Sequence, residues 1–143
     1  MPKPVYSAYH QYIETIFREA LKAVEPYRLI SASLRNVEGK LHLGENALEF
    51  PRHTNSYLIS IGKAAGGMTR AFLEISKLQP RAGVIALPKS DLTTFPHPFE
   101  VFLAGHPHPS RASIEAGYAA MNLLKKCGSE DVVWVLISGC LLY

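Results

Sequence analysis

The residues best placed to do chemistry are Gly62 and Lys63. They follow an apolar run, Tyr57 to Ile61, and precede Met68, Ala71, Phe72 and Ile75 at helical spacing. A strand that ends in glycine, then lysine, then a helix presents backbone N–H groups and one positive charge to an anion. The glycines Gly62, Gly66 and Gly67 let the chain turn sharply and approach a ligand with no Cβ in the way. The spacing is not that of a P-loop, because Lys63 directly follows the first glycine and Ala64 stands where Ser or Thr would hold magnesium. Nor is it the dinucleotide fingerprint, since Lys63, Ala64 and Ala65 separate Gly62 from Gly66. The same residues also admit a purely structural role. In that role Gly62 makes a tight turn, Gly66 and Gly67 allow close helix–sheet packing, and Lys63 is solvated.

Other reactive side chains carry less. His106 and His108 form a His-x-His pair, but Pro107 and Pro109 stiffen their loop and no third ligand stands nearby, so no metal site is expected. Loop rigidity, with a polar ligand contact from His106, is the expected role. Cys140 has no identifiable base and is not expected to be a nucleophile. Trp134 sits within an apolar strand and reads as core, while His10, His42, His53 and His97 read as surface or capping residues.

These groups need a scaffold, and 143 residues suffice for one domain with a substantial core. A composition 48% hydrophobic and 19% charged is that of an ordinary globular protein. The net charge of +3 is small and dispersed, which argues against nucleic acid or an anionic membrane surface as partner. No apolar stretch approaches the roughly 20 residues of a membrane helix. The segment from Met1 runs straight into a polar amphipathic stretch, so no signal peptide is expected. The two cysteines, Cys127 and Cys140, form no framework, and a reducing cytoplasm is the expected compartment.

Along the chain, Tyr6 to Val24 predicts a helix with Ile13, Ile16, Phe17, Ala20, Leu21 and Val24 on one face. Ser7 is its candidate N-cap, Pro26 its stop, and covering a sheet its expected role. Leu34–Val37, Lys40–Leu43 and Ala47–Phe50 predict a small hairpin or meander around Glu38-Gly39 and Gly44-Glu45-Asn46. Pro51 to Asn55 is a polar connector. The helix after Gly67 fades near Leu78, strands follow at Ala82–Leu87 and Glu100–Ala104, and Gly105 to Pro109 is a rigid loop. Ser110 then caps a helix running to about Cys127, with Gly128 as its stop and Ile114, Tyr118, Met121 and Leu124 as its apolar face. Asp131 to Ile137 is almost wholly apolar, as expected of a parallel strand covered on both faces, and ends at Ser138-Gly139. The alternation predicts an α/β fold: an open, mainly parallel sheet with helices on both faces. Ligands of such sheets bind at the carboxyl ends of the strands. Gly62-Lys63, Gly105–Ser110 and Ser138-Gly139 would converge there.

Three motifs in this order, Gly62-Lys-Ala-Ala65 with Met68, Ala104-Gly-His-Pro-His-Pro109 and Leu136-Ile-Ser-Gly139, resemble those of the glycerate 2-kinase family. These MOFRL-associated, ATP-dependent D-glycerate kinases are also labelled hydroxypyruvate reductases. The resemblance implies a Rossmann-like domain of a two-domain enzyme whose site lies in the cleft between domains. It implies glycerate and a nucleotide as ligands, with ATP and magnesium as cofactors of the full-length family. It matches Lys63 to the family's active-site lysine, facing the substrate carboxylate or the transferred phosphate. Gly62, Ala64 and His106 fall in the substrate- and phosphate-binding motifs, and Ser138 and Gly139 match the opening of the phosphate-binding loop.

Two departures accompany the resemblance. Cys140-Leu-Leu-Tyr143 stands where the family continues with glycines and Ser-Ala-Leu, and Ser110 replaces an Asp, keeping the cap but losing a carboxylate. The expectation is therefore a truncated N-terminal portion, a poor or inactive kinase alone, without an evident base or magnesium-binding carboxylates. One alternative is a non-catalytic relative that persists as a folded, self-associating module, a possible homo-oligomer. Another is a nicotinamide-dependent reductase, which the missing fingerprint opposes.

Overall fold

The structure, a computed structural model, describes residues 6–50 and 54–139; Cys140 and His53 lie outside the described residues, as does the Ser7 side chain. Helix α1 (Tyr6–Ala23) forms where the amphipathic period predicts it, with Glu14–Arg18 and Glu19–Lys22 pairs along its polar side. It does not cover the sheet. Ile13, Ile16, Phe17 and Leu21 stay exposed, and α1 packs only lightly, against the helix that follows.

That helix, α2 (Pro26–Ser33), is absent from the sequence reading, which took Pro26 as a stop. A proline at the first helical position lacks only an N–H that would be unpaired anyway, and its φ suits a helix. Pro26 therefore ends one helix and opens another. The α2 helix packs on α3 (Ala65–Ser76) through a close approach at Gly67, where an added Cβ would lie 3.0 Å from Pro26 Cγ.

Between α2 and α3 lies the small antiparallel sheet β1 (Leu34–Val37), β2 (Lys40–Leu43) and β3 (Asn46–Ala47). Its first turn, Glu38-Gly39, has positive φ at both residues, the twist that suits a two-residue hairpin. The third strand is shorter than expected and ends before Phe50. Leu34 anchors this sheet in the core with Leu58 and Phe72, and Asn36 Nδ2 donates to the Ser76 carbonyl at 2.7 Å.

The main sheet is wholly parallel: β4 (Ser56–Gly62), β5 (Ala82–Pro88), β6 (Phe99–Ala104) and β7 (Val132–Ser138), in the spatial order β6-β5-β4-β7. Helices cover both faces. Leu58, Phe72 and Trp134 pack on the α3 side, and Tyr57, Ile59 and Val84 meet Leu123 of α4 (Arg111–Leu124) on the other. Burying a side chain such as Phe72 or Leu58 contributes about 1.5–3 kcal/mol each.

The sequence reading of α4 is corrected in its packed face. Ala116, Ala119, Ala120 and Leu123 meet the sheet, while Ile114, Tyr118 and Met121 are exposed. Small residues let the helix axis lie close to the strands, so the large ones turn outward. α4 lies over β5 and β6 and leaves the outer half of this face open. Hence β7, expected to be covered on both faces, is an edge strand with Val135 and Ile137 exposed.

Candidate functional site

Because all four strands run parallel, the turns after β4, β6 and β7 share one edge of the sheet. Gly62 pairs with Ser138 across β4 and β7, and Pro88 pairs with Ala104 across β5 and β6. At Gly62 the backbone adopts φ +113, a region open to glycine but strained for other residues. A Cβ there would lie 1.8 Å from the Ser138 carbonyl oxygen, so the close approach of the two strand ends requires glycine. The Ser138 hydroxyl accepts from the Ala64 N–H at 2.7 Å, and the Ser60 hydroxyl donates to the Ala65 carbonyl at 3.1 Å. The turn that carries Lys63 is thus fixed on both sides. Lys63 is exposed, and α3 begins just beyond it with no side-chain cap and no acidic residue in its first turn.

The facing loop is held with equal economy. Ser110 caps α4 as expected, and its own N–H donates to Ser113 Oγ at 3.0 Å, the reciprocal half of a capping box. Both hydroxyls also accept from the Gly105 N–H, at 3.0 and 3.3 Å. Gly105 is again obligatory, since a Cβ would sit 2.3 Å from the His108 carbonyl oxygen.

Between the two loops lies a mainly apolar cavity of about 250 Å³. Gly62, Lys63, Gly105 and His106 line its rim, with Ile61, Ala86, Ser113 and Gly117 beneath. Lys63, Gly62 and His106 therefore come together. Ala64 and Ser138 meet through their hydrogen bond beside the cavity, and Gly139 lies exposed just past the end of β7. A larger cleft of about 880 Å³ lies at the opposite, amino ends of the strands, around Asn55, Arg81 and Asp131. It has none of the loops that face ligands in parallel sheets.

Three contributors escaped the sequence reading. Ser113 stands three residues after the N-cap, the position where a capping-box partner is sought, but Ser is not the usual residue there. Gly117 lines the cavity with open space where a Cβ would be. Asp91 sets its carboxylate against Gly66 at the first turn of α3, so that a Cβ on Gly66 would lie 2.3 Å from Asp91 Oδ2. Its Oδ1 accepts from the Thr93 N–H at 2.9 Å. A carboxylate at a helix N-terminus is favoured by the helix dipole. Nothing local in the sequence announces this contact.

The site suits an anion through the charge of Lys63, while the Asp91 carboxylate already lies against the first turn of α3. Magnesium fits less well: among the described residues no group of three His, Cys, Asp or Glu side chains could hold a metal ion. Cys127 is no nucleophile either, because burial pushes its thiol pKa up, and its Sγ donates to the Leu123 carbonyl.

The fold and sequence have known relatives. The family model described as "Domain of unknown function (DUF4147)" matches residues 12–140. The chain belongs to this family. Its relatives include a glycerate 2-kinase of Pyrococcus horikoshii, 31% identical over 121 residues, which cover 85% of this chain and 26% of the relative. A crystal structure of the PH0495 protein from Pyrococcus horikoshii OT3 superposes with a TM-score of 0.74 at 29% identity, over 91% of this chain and 29% of the other. The crystal structure of a glycerate kinase from Thermotoga maritima gives 0.68 at 26% identity, over 93% and 28%. The DUF4147 chain described here therefore spans about a quarter of the length of the curated relatives it matches, with 26% of the relative covered in both prokaryotic kinases. Among the described residues, no helix is long and apolar enough to cross a membrane.

Proposed function

We propose that this DUF4147 chain provides the anion-binding part of a glycerate 2-kinase site, holding the transferred phosphate or the D-glycerate carboxylate. One observation carries the reading. Lys63, on a turn that only glycine at position 62 permits, shares a cavity with Gly105 and His106 at the carboxyl edge of the sheet. Phosphoryl transfer depends mainly on positioning and on neutralising charge on the phosphate oxygens. Lys63 supplies a positive charge and His106 a polar contact. ATP, when bound, supplies the phosphoryl group. The names of the matching relatives support this assignment.

His106 and Lys63 are the titratable side chains that line this cavity, and among the described residues no group of three His, Cys, Asp or Glu could hold magnesium. On this reading catalysis also draws on residues equivalent to the rest of the relatives' length, of which this chain matches about a quarter. The test is ATP-dependent phosphorylation of D-glycerate by a chimera in which this chain replaces the matching quarter of a glycerate kinase. Lys63→Ala should lower kcat/KM at least 100-fold with little change in Tm, since Lys63 makes no ion pair among the described residues. Unchanged turnover in that variant would refute the role of Lys63.

A further inference from the structure

Of the side chains that line the cavity, only Lys63, His106 and Ser113 are polar. Ser113 differs from the other two in how its hydrogen-bonding capacity is spent. A hydroxyl has two acceptor lone pairs and one donor proton. Ser113 Oγ accepts from the Ser110 N–H at 3.0 Å and from the shared Gly105 N–H at 3.3 Å, so both lone pairs are engaged. Its proton is left over. The Ser110 hydroxyl stands 3.5 Å away, well beyond the roughly 2.7–2.8 Å usual for an O–H···O bond, and it already accepts from the Gly105 N–H. Ser113 therefore faces the cavity as a donor alone.

Gly117 keeps the way to it open. In a helix a side chain lies over the turn before its own Cα, so a larger residue at 117 would cover Ser113, one turn earlier on the same face. Gly117 has no side chain, and no atom stands within 4 Å of where its Cβ would be. Nor does any carboxylate or amide side chain line the cavity to take the proton. We propose that the Ser113 hydroxyl donates to an oxygen of the bound anion, a second contact beside Lys63. This contact rests on the reading of the cavity as the anion site. Lys63 brings charge from the turn after β4, which any anion satisfies. Ser113 brings a directional donor from α4, which needs an acceptor oxygen at one place and so selects for an oxyanion. The D-glycerate carboxylate and the transferred phosphate share that chemistry.

Titration of the isotope-labelled 143-residue chain with inorganic phosphate and, separately, with D-glycerate, followed by amide chemical shifts, tests this. Ser113→Ala should weaken binding of the probe that occupies the cavity by about tenfold or more, the effect of losing a hydrogen bond to a charged group. Ser113→Thr keeps the hydroxyl and should restore most of the affinity. Ser110→Ala is the matched control: it too removes an acceptor of the Gly105 N–H and half of the capping box, but Ser110 does not line the cavity. Its affinity should stay within about threefold of the native chain at a comparable loss of Tm. The probe that Ser113→Ala weakens identifies the acceptor as phosphate or carboxylate. Equal losses in the two alanine variants, or full affinity in Ser113→Ala, would overturn the donor role, and a Lys63→Ala chain that no longer binds would leave the anion reading standing. Undiminished binding by Lys63→Ala, or a native chain that neither probe perturbs at Gly62 and Gly105, would overturn both.

Discussion

The Ser138 hydroxyl accepts a hydrogen bond from the Ala64 N–H at 2.7 Å, joining the end of β7 to the turn that carries Lys63. The bond links residues 74 positions apart in the chain, so the turn that carries Lys63 depends on a strand far along the sequence. Ser138→Ala removes the acceptor and should cost about 1 kcal/mol in urea denaturation. It should also weaken nucleotide binding by loosening the Lys63 turn. A variant as stable as the native chain would show that the Ala64 N–H finds another acceptor, and would detach Ser138 from the site.

Gly62 and Gly139 face each other's strand ends but differ in what they tolerate. Gly62→Ala combines a positive φ with a Cβ 1.8 Å from the Ser138 carbonyl oxygen, so the strands must separate. The expected loss is on the order of 2–4 kcal/mol. Gly139→Ala meets no atom of the described residues within 4 Å and should change stability by less than about 0.5 kcal/mol. Chemical denaturation of both variants separates the roles, and equal losses would contradict the close approach.

Much of this architecture was legible in local pattern. β1 and β2 fall where alternation and turn residues place them, and the Gly62-Lys63 and Gly105-His106 turns follow from glycine after an apolar run. What escaped depends on partners distant in sequence. The buried face of α4 is set by how closely its alanines let it approach β5 and β6, whereas hydropathy alone points to Ile114 and Met121. The uncovered side of β7 is a matter of strand order, which an apolar run does not encode. Pro26 is ambiguous on its own, being compatible with the end of one helix and the start of another. Ser113 stands at capping-box spacing but is not the residue type sought there, and Asp91 reaches the first turn of α3 through a contact that no spacing rule anticipates.

Gly117 offers a way to close the cavity without disturbing its walls. A Cβ there meets nothing within 4 Å, and the residue lies in mid-helix, where glycine is disfavoured relative to leucine by up to about 1 kcal/mol. Gly117→Leu should leave Tm unchanged or raised while its side chain enters the cavity of about 250 Å³. Nucleotide and D-glycerate titrations should then show at least a tenfold loss of affinity for whichever ligand occupies that space. Full affinity for both, with the variant folded, would place the ligands elsewhere.

Asp131 gives the fold an acid-sensitive tether at the end away from the site. Its carboxylate accepts from the Gly128 N–H and from Asn55 Nδ2, each at 2.8 Å, tying the turn before β7 to the residue preceding β4. The Gly128 N–H, and then Asn55, hold its pKa below the ordinary 3.8. A carboxylate whose folded pKa is depressed stabilises the fold above its unfolded value, and that contribution disappears as pH falls through the folded pKa. Asp131→Asn should therefore lower Tm by a constant amount above about pH 5, with the gap from the native chain narrowing below pH 4. Thermal melts of the two chains from pH 7 to pH 3 read this directly, and taking the difference cancels other carboxylates such as Glu19. A gap as wide at pH 3 as at pH 7 would mean that the tether acts through shape alone and not through charge.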